Sequence, residues 1–469
     1  MLFHPKCLTL TEGTFVAKGE ISATAHPALC RPILCELWES FTFGASSLRL
    51  RDTTEGYVFS VGDVAPLPLD GYDFSLHIEK NGLFLLAKNE RSLLHGYLTL
   101  LDRFRATELD GRCVAVADCC EIRDRASVEN RMVHFCIFPE VALWELHRFV
   151  RFAATLKYTH IVLEFWGTLH YDCLKELSWE SGFTKDEIRP IVEEANALGL
   201  EVIPMFNHWG HASASRAMHG KHVVLDQNPS LATYFREDGW CWDYRKPKVR
   251  ELLGRVREEL IELCGEGGYF HLGCDEALPF DFTKESIDAL CDYVGEIASD
   301  LGAKGRRAIV WGDMFLYRHP EYEPKNNYTC AAPSAEVERY FLSRLDRSIV
   351  IADWEYWAPV APVETASVFQ KAGFDTLLCP SDVGIENTKA ALATVKAQAL
   401  TGFLHTTWHT LSGGMPYVTM MGVGGYDGAE DFDPVGMMTL TAAHLRKVMP
   451  AKGNYERTGW CRREVDFKW

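Results

Sequence analysis

The chain has 469 residues, about three times the usual domain length, which predicts two domains or one large domain with an appendage. Hydrophobic residues at 47% and charged residues at 24% exclude a long disordered or collagen-like region, and a net charge of −17 disfavours nucleic acid and anionic lipid as partners. The 15 cysteines are odd in number and scattered, with neither a CxxC pair nor a Cys/His zinc spacing, so thiols in a reducing compartment are expected. The first residues lack a basic patch followed by an apolar run, and nowhere does an apolar stretch reach the ~18 residues needed to span a bilayer. A cytoplasmic protein without a membrane partner is therefore expected.

Short alternating runs broken by turn residues fill the chain up to about residue 125, predicting a small α+β domain over 1–125. The clearest signal is 74–79, then Asn81-Gly82, then 83–87, which reads as a hairpin closed by a type I′ turn. An amphipathic helix is predicted over 91–105, with Leu94, Tyr97, Leu98, Leu101 and Phe104 on one stripe. No cluster of reactive residues converges here, so a packing or positioning role is expected.

From Arg131 onward apolar strands alternate with amphipathic helices, the pattern of a parallel sheet covered by helices. Strands are predicted at 132–138, 160–166, 201–206, 269–273, 308–311, 349–354, 375–379 and 403–408. One helix stripe carries Val249, Leu252, Leu253, Val256, Leu260 and Leu263, and another Ala391, Leu392, Val395 and Ala399. Thr184 and Glu187 form a capping box with Phe183 and Ile188 as a staple, while Pro190 is expected to bend that helix or move its start. Eight such units over 126–469 predict a (β/α)8 TIM barrel, whose chemistry sits at the carboxyl ends of its strands. An open dinucleotide-binding sheet is disfavoured because no GxGxxG turn follows the first strand.

Those ends are rich in aromatic and polar residues: Glu164-Phe165-Trp166, Asn207 to His211, His271 to Glu276, Trp311-Gly312-Asp313, Asp353 to Trp357, and Trp408-His409. Trp166, Trp209, Trp311, Trp354, Trp357 and Trp408 all fall in this small set, out of 13 tryptophans in the chain. A single tryptophan is more often a core residue, but the clustering points to a site. Aromatic walls interleaved with carboxylates suit a carbohydrate, whose C–H faces stack on indole while its hydroxyls need polar partners.

The sharpest feature is Asp275-Glu276. Adjacent carboxylates repel, which pushes at least one pKa up, as a general acid at neutral pH requires. Neighbours in the chain cannot easily stand on opposite faces of a sugar, as the two acids of an ordinary glycosidase do. With a 2-acetamido sugar the substrate's own carbonyl oxygen can attack the anomeric carbon, leaving one acid to protonate the leaving oxygen and the other to orient the acetamido group.

His271-Leu-Gly-Cys-Asp275-Glu276 resembles the His-x-Gly-Gly-Asp-Glu signature of family 20 glycoside hydrolases, the β-N-acetylhexosaminidases. The run from Glu201-Val-Ile-Pro204 to Gly210-His211 is similar to that family's third-strand motif, and Ile309-Val-Trp311-Gly-Asp313 to its fifth. The likeness extends from about Arg131 to Trp408 and is closest to the hexosaminidase D-like group and its bacterial relatives. It implies a retaining exo-hydrolase of terminal β-linked N-acetylglucosamine or N-acetylgalactosamine that needs no cofactor and no metal. Asp275 would polarise the acetamido group, and Glu276 would act as general acid and then as base. Arg131 would hold the distal hydroxyls, and His211 would match the histidine after strand three. Trp311, Trp354 and Trp408 would wall the acetamido pocket, with Asp313 beside them.

The pattern departs from the family at four places. Cys274 replaces a glycine, Asn207 replaces an acid, and His409-Thr410 stand where a glutamate often follows. No tyrosine follows strand seven at Pro380-Ser-Asp382, and Tyr356 is the substitute candidate for binding the acetamido group. Two other readings compete. His208, His211, His271, Asp275 and His405 could ligate a metal in a barrel hydrolase, although strand one lacks His-x-His. A non-catalytic sugar-binding barrel would have no use for the like-charge pair.

Overall fold

A computed structural model of the chain describes residues 2–138, 141–212, 228–237, 239–322, 325–408, 411–429 and 431–448, with only the backbone of 411–413. The amino-terminal strands are β1 (Cys7–Ala17), β2 (Gly19–Ala25), β3 (Ser46–Asp52), β4 (Tyr57–Val61), β5 (Phe74–Glu79), β6 (Gly82–Ala87), β7 (Arg105–Leu109) and β8 (Arg112–Asp124). They form one mixed sheet in the order β1-β8-β5-β6-β4-β2-β3, with β7 paired to β8. Alternation decides which face is covered: Phe74, Leu76, Ile78, Leu83 and Leu85 are wholly buried, and the helix Glu90–Arg103 packs against them.

The expected hairpin is present, but its turn is not the expected one. Glu79 pairs with Gly82, so Lys80 and Asn81 form the turn, and neither Asn81 nor Gly82 has the positive φ of a type I′ centre. Gly82 is drawn into β6 instead. The following helix differs from its predicted single stripe, because residues 92–103 are buried all round. It lies between sheet and barrel. On one face of it Asp102 accepts the Leu2 backbone N–H at 2.7 Å and Thr99 accepts Lys157 Nζ at 2.8 Å.

Lys157 marks that junction. Its ammonium is wholly buried over the rings of Tyr426 and Phe3, at 3.7 and 4.0 Å from their centroids. Burial lowers its pKa to about 8, although the nearby Asp124, Asp427 and Asp102 favour its charge.

The remaining strands are β9 (Asn130–Cys136), β10 (His160–Glu164), β11 (Glu201–Met205), β12 (Tyr269–His271), β13 (Arg307–Trp311), β14 (Val350–Trp354), β15 (Asp375–Cys379) and β16 (Gly402–His405). Each pairs in parallel with the next and β16 pairs with β9, closing an eight-stranded (β/α)8 barrel. Side chains alternate between two cores. Met132, Val162, Ile203, Ile309, Trp311, Val350, Leu377 and Leu404 fill the interior, and the intervening residues pack under the helices. The predicted stripes lie on the helices Pro247–Cys264 and Ile385–Ala397, except Ala399, which is exposed past the second helix's end at φ +48°. In Lys185–Ala197 the capping box holds, with Thr184 Oγ1 accepting from Glu187 N, and Pro190 remains inside the helix without moving its start. No helix among the described residues is long and apolar enough to cross a membrane.

Candidate active site

The candidate residues converge where the barrel strands end. Past β12 the chain stays paired on both sides for two residues: His208 N donates to Leu272 O at 2.8 Å, and Trp311 N donates to Gly273 O at 2.9 Å. The backbone then turns sharply, with φ of +68° at Gly273, +78° at Cys274 and +45° at Glu276. Close approach makes two glycines obligatory here. A β-carbon on Gly273 would fall 1.8 Å from Asn207 Oδ1, and one on Gly210 would fall 1.9 Å from Asp275 O. The loops after β11 and β12 interlock through these two positions. Cys274 holds a left-handed conformation that costs an L-residue about 1–2 kcal/mol, at the position where the family signature has glycine.

The turn sets the two acids in different surroundings. Asp275 is 7% exposed, whereas the Glu276 side chain is half exposed. His211 Nε2 joins them, 3.3 Å from Asp275 Oδ2 and 3.1 Å from Glu276 Oε2. Burial by itself would lower the His211 pKa, but the two carboxylates outweigh it and raise it to about 9. Burial pushes Asp275 up to about 7, with repulsion from Glu276 and Glu164 adding to it and His211 opposing. Asp275 Oδ1 is buried and accepts no hydrogen bond.

Asp313, directly after β13, is 3% exposed and uses both oxygens. Oδ2 accepts the Glu276 backbone N–H and Oδ1 accepts Trp354 Nε1–H, each at 3.0 Å. Burial, then the nearby Asp275, raise it to about 8. Trp354 lies 5.0 Å from the Tyr356 ring, and the Tyr356 hydroxyl accepts Trp408 Nε1–H and bonds with Thr406 Oγ1 at 3.0 Å. Thr406 Oγ1 also lies 3.1 Å from Pro380 O, so Tyr356 reaches from β14 to the end of β15, where the resemblance places a tyrosine. Trp311 is completely buried against His271 and Trp408 and therefore backs the pocket instead of lining it.

Arg131 does not belong to the site. It stands at the amino end of β9, and five strand steps separate it from Cys136, about 16 Å. Its side chain is 1% exposed and donates to the carbonyls of Lys157, Glu129 and Val128 beneath Tyr426, so it closes the barrel floor and touches no sugar. His409 and Thr410 lie outside the described residues.

The metal reading also meets an obstacle. His208 bonds with Phe206 O through Nδ1 and with Arg257 Nη1 through Nε2, which leaves neither nitrogen for an ion. Among the described residues no three His, Cys, Asp or Glu side chains are grouped to hold a metal.

Two contributors received no role from the sequence, although Glu164 falls in the strand-two set. Trp240, in an irregular loop, donates Nε1–H to Glu276 O at 2.7 Å and lies 4.3 Å from the His211 ring. Glu164, wholly buried, is held by His134 at 2.8 Å and Asn207 at 2.9 Å, and adds to the negative potential felt by Asp275 and His211. Neither acid of the pair lines the nearby open cleft of about 430 Å³ between Trp209, Tyr244, Phe280, Arg236, Arg245 and Asp281.

A further buried acid lies behind the wall. Asp353 is 1% exposed, accepts Thr365 Oγ1 at 2.8 Å, and is raised to about 7 by burial, with Asp313 adding to it. A carboxyl raised above its unfolded value stabilises the fold fully below about pH 4, and this contribution is lost as pH rises through about 7. Asp353→Asn is therefore expected to melt higher than wild type at pH 8 and near it at pH 4, with about 4 kcal/mol as the ceiling of the gain. Equal melting differences at both pH values would contradict the burial argument.

Residues 163–384, which include Asp275, Glu276, Asp313, Trp354 and Tyr356, match the model of glycosyl hydrolase family 20, catalytic domain. The matched segment lies wholly within the barrel, from β10 to just past β15. Its fold is similar to that of an exo β-N-acetylglucosaminidase from Vibrio harveyi, with TM-score 0.69 and 15% identity over 96% of this chain and 76% of that one. A β-N-acetylhexosaminidase from Bacteroides fragilis is similar at TM-score 0.65 and 15% identity, covering 97% of this chain and 95% of that one. A lacto-N-biosidase from Bifidobacterium bifidum is 21% identical over 322 residues, 65% of this chain, and the chain spans 28% of that protein's length. The family 20 match begins after Arg131 and ends before Trp408, so the acid pair and the β13–β14 wall lie inside it.

Proposed function

We propose that the chain is a retaining exo-β-N-acetylhexosaminidase that releases terminal β-linked N-acetylglucosamine or N-acetylgalactosamine, with the substrate's acetamido oxygen as nucleophile. The carrying observation is Asp275. One of its oxygens faces the His211 imidazolium while the other is buried without a donor, and a buried acceptor left unpaired costs about 1–3 kcal/mol. An acetamido N–H is the donor this oxygen fits. Because Asp275 and Glu276 both reach one imidazole nitrogen, they stand on one side of a bound sugar, which argues against a second carboxylate as nucleophile.

In this reading Asp275 orients the acetamido group and balances the charge that develops as its oxygen attacks. Glu276, half exposed at the mouth, donates a proton to the leaving oxygen and later takes one from water. Trp354, Tyr356 and Trp408 form the wall against the ring, and Trp311 supports them. A cytoplasmic location belongs to the proposal and rests on the cysteine pattern.

A panel of aryl β-glycosides tests it. Cleavage of 2-acetamido substrates and not of 2-hydroxy ones, unaffected by EDTA, with the β-anomer appearing first by NMR, is the expected result. Comparable cleavage of plain glucosides, or an α-anomer at early times, would overturn the substrate-assisted mechanism.

A further inference from the structure

We propose that Asp313 is a positioning residue for the reaction, clamping the backbone of the general acid through one oxygen and the indole of the pocket wall through the other. This rests on the hexosaminidase reading for the identity of the acid. The clamp itself rests on geometry alone. Glu276 N and Trp354 Nε1 belong to different strand ends, and Asp313 is the common acceptor of both, at 3.0 Å each. Glu276 sits at φ +45°, a conformation that a non-glycine residue keeps only where surrounding contacts impose it. Trp240 holds the carbonyl of the same residue at 2.7 Å, so its peptide groups are anchored on both sides.

Asp313 is itself fixed from behind, because the helical turn Asp313–Phe315 starts on it and Ala331 N donates to its carbonyl at 3.0 Å. Charged groups facing it are Asp275 and Glu276 from the turn after β12, Asp353 from β14 and Glu355 just past it. Two N–H bonds favour its ionised form, while burial and Asp275 oppose it. Asp275 and Asp313 therefore titrate as a pair, and removing the charge of one lowers the pKa of the other.

An amide in place of this carboxylate presents one oxygen and one NH2, so whichever way it turns, one of the two N–H donors loses its acceptor. Asp313→Asn in the full chain is expected to lower kcat about 10- to 100-fold, the scale of an ångström-level misplacement. The loss should be larger for a methylumbelliferyl than for a dinitrophenyl N-acetylglucosaminide, because it falls on proton donation. The acid limb of kcat/KM should also move to lower pH. Trp354→Phe, which removes only the indole partner, is expected to raise KM with the same effect for both leaving groups.

Amide hydrogen exchange over 273–280 reads the clamp without substrate and should be faster in Asp313→Asn than in wild type. Unchanged exchange, or a loss of kcat independent of the leaving group with the acid limb unmoved, would overturn the proposal. If wild type cleaves no acetamido glycoside, the hexosaminidase reading fails, and the exchange result still decides whether the clamp exists.

Discussion

Glu276→Gln is expected to reduce kcat/KM about 10²- to 10⁴-fold on substrates with a poor leaving group, and far less on a dinitrophenyl glycoside whose phenolate departs without a proton. The substitution is clean in structural terms. Glu276 is anchored by its backbone, N–H to Asp313 and carbonyl to Trp240, so changing its half-exposed side chain leaves the turn in place. It also removes one of the carboxylates that raise His211 and one of the charges that raise Asp275. The acid limb of the pH profile should therefore move down together with the loss of rate. The measurement is the slope of log kcat/KM against leaving-group pKa, which should steepen in the variant. A loss equal across all leaving groups would show that Glu276 is not the proton donor.

The barrel was legible because each strand is a short apolar run buried on both faces, between helices whose stripes have helical spacing. The direction of a parallel strand then says which of its ends to search, and that search reached Asp275, Glu276, His211, Asp313, Trp354, Tyr356 and Trp408. Arg131 escaped the same rule. It heads β9 and belongs to the floor, where its guanidinium satisfies three carbonyls. Arg131 was assigned from a motif likeness, and its strand position shows why that failed. The Asn81-Gly82 signal failed for a related reason: Gly82 pairs with Glu79 as the first residue of β6, whose next residue Leu83 pairs with Val61 of β4, a tertiary demand that no dipeptide shows.

Some of the site was absent from the sequence in principle. Trp240 acts through an irregular loop with no periodicity, and only the closed fold brings its indole to the Glu276 carbonyl. Asp313 could be read as polar and near the sugar, but its function as acceptor for two N–H groups depends on a register between β12, β13 and β14 that spacing does not reveal. The burial of Trp311 is likewise a matter of which face of β13 points inward.

Asp275→Asn is expected to lower kcat by about 10²- to 10³-fold whatever the leaving group, because the charge it removes supports the acetamido group in every case. The geometry gives a second reason. If the amide oxygen turns toward His211, its NH2 meets the acetamido N–H, donor against donor; the opposite orientation sets NH2 against the imidazolium. A thiazoline mimic of the cyclised intermediate, which carries the charge that Asp275 balances, should bind more weakly to this variant. Stability should move the other way. The folded pKa of about 7 lies above the unfolded value of 3.8, so the contribution of Asp275 to folding is present below about pH 4 and lost as pH rises through 7. At pH 8 the Asn variant is therefore expected to melt higher than the active enzyme while turning over far more slowly. That pairing separates a lost charge from a damaged fold, since a disrupted turn would lower activity and melting temperature together. An unchanged thiazoline affinity in a well-folded variant would remove Asp275 from its assigned role even if the activity fell.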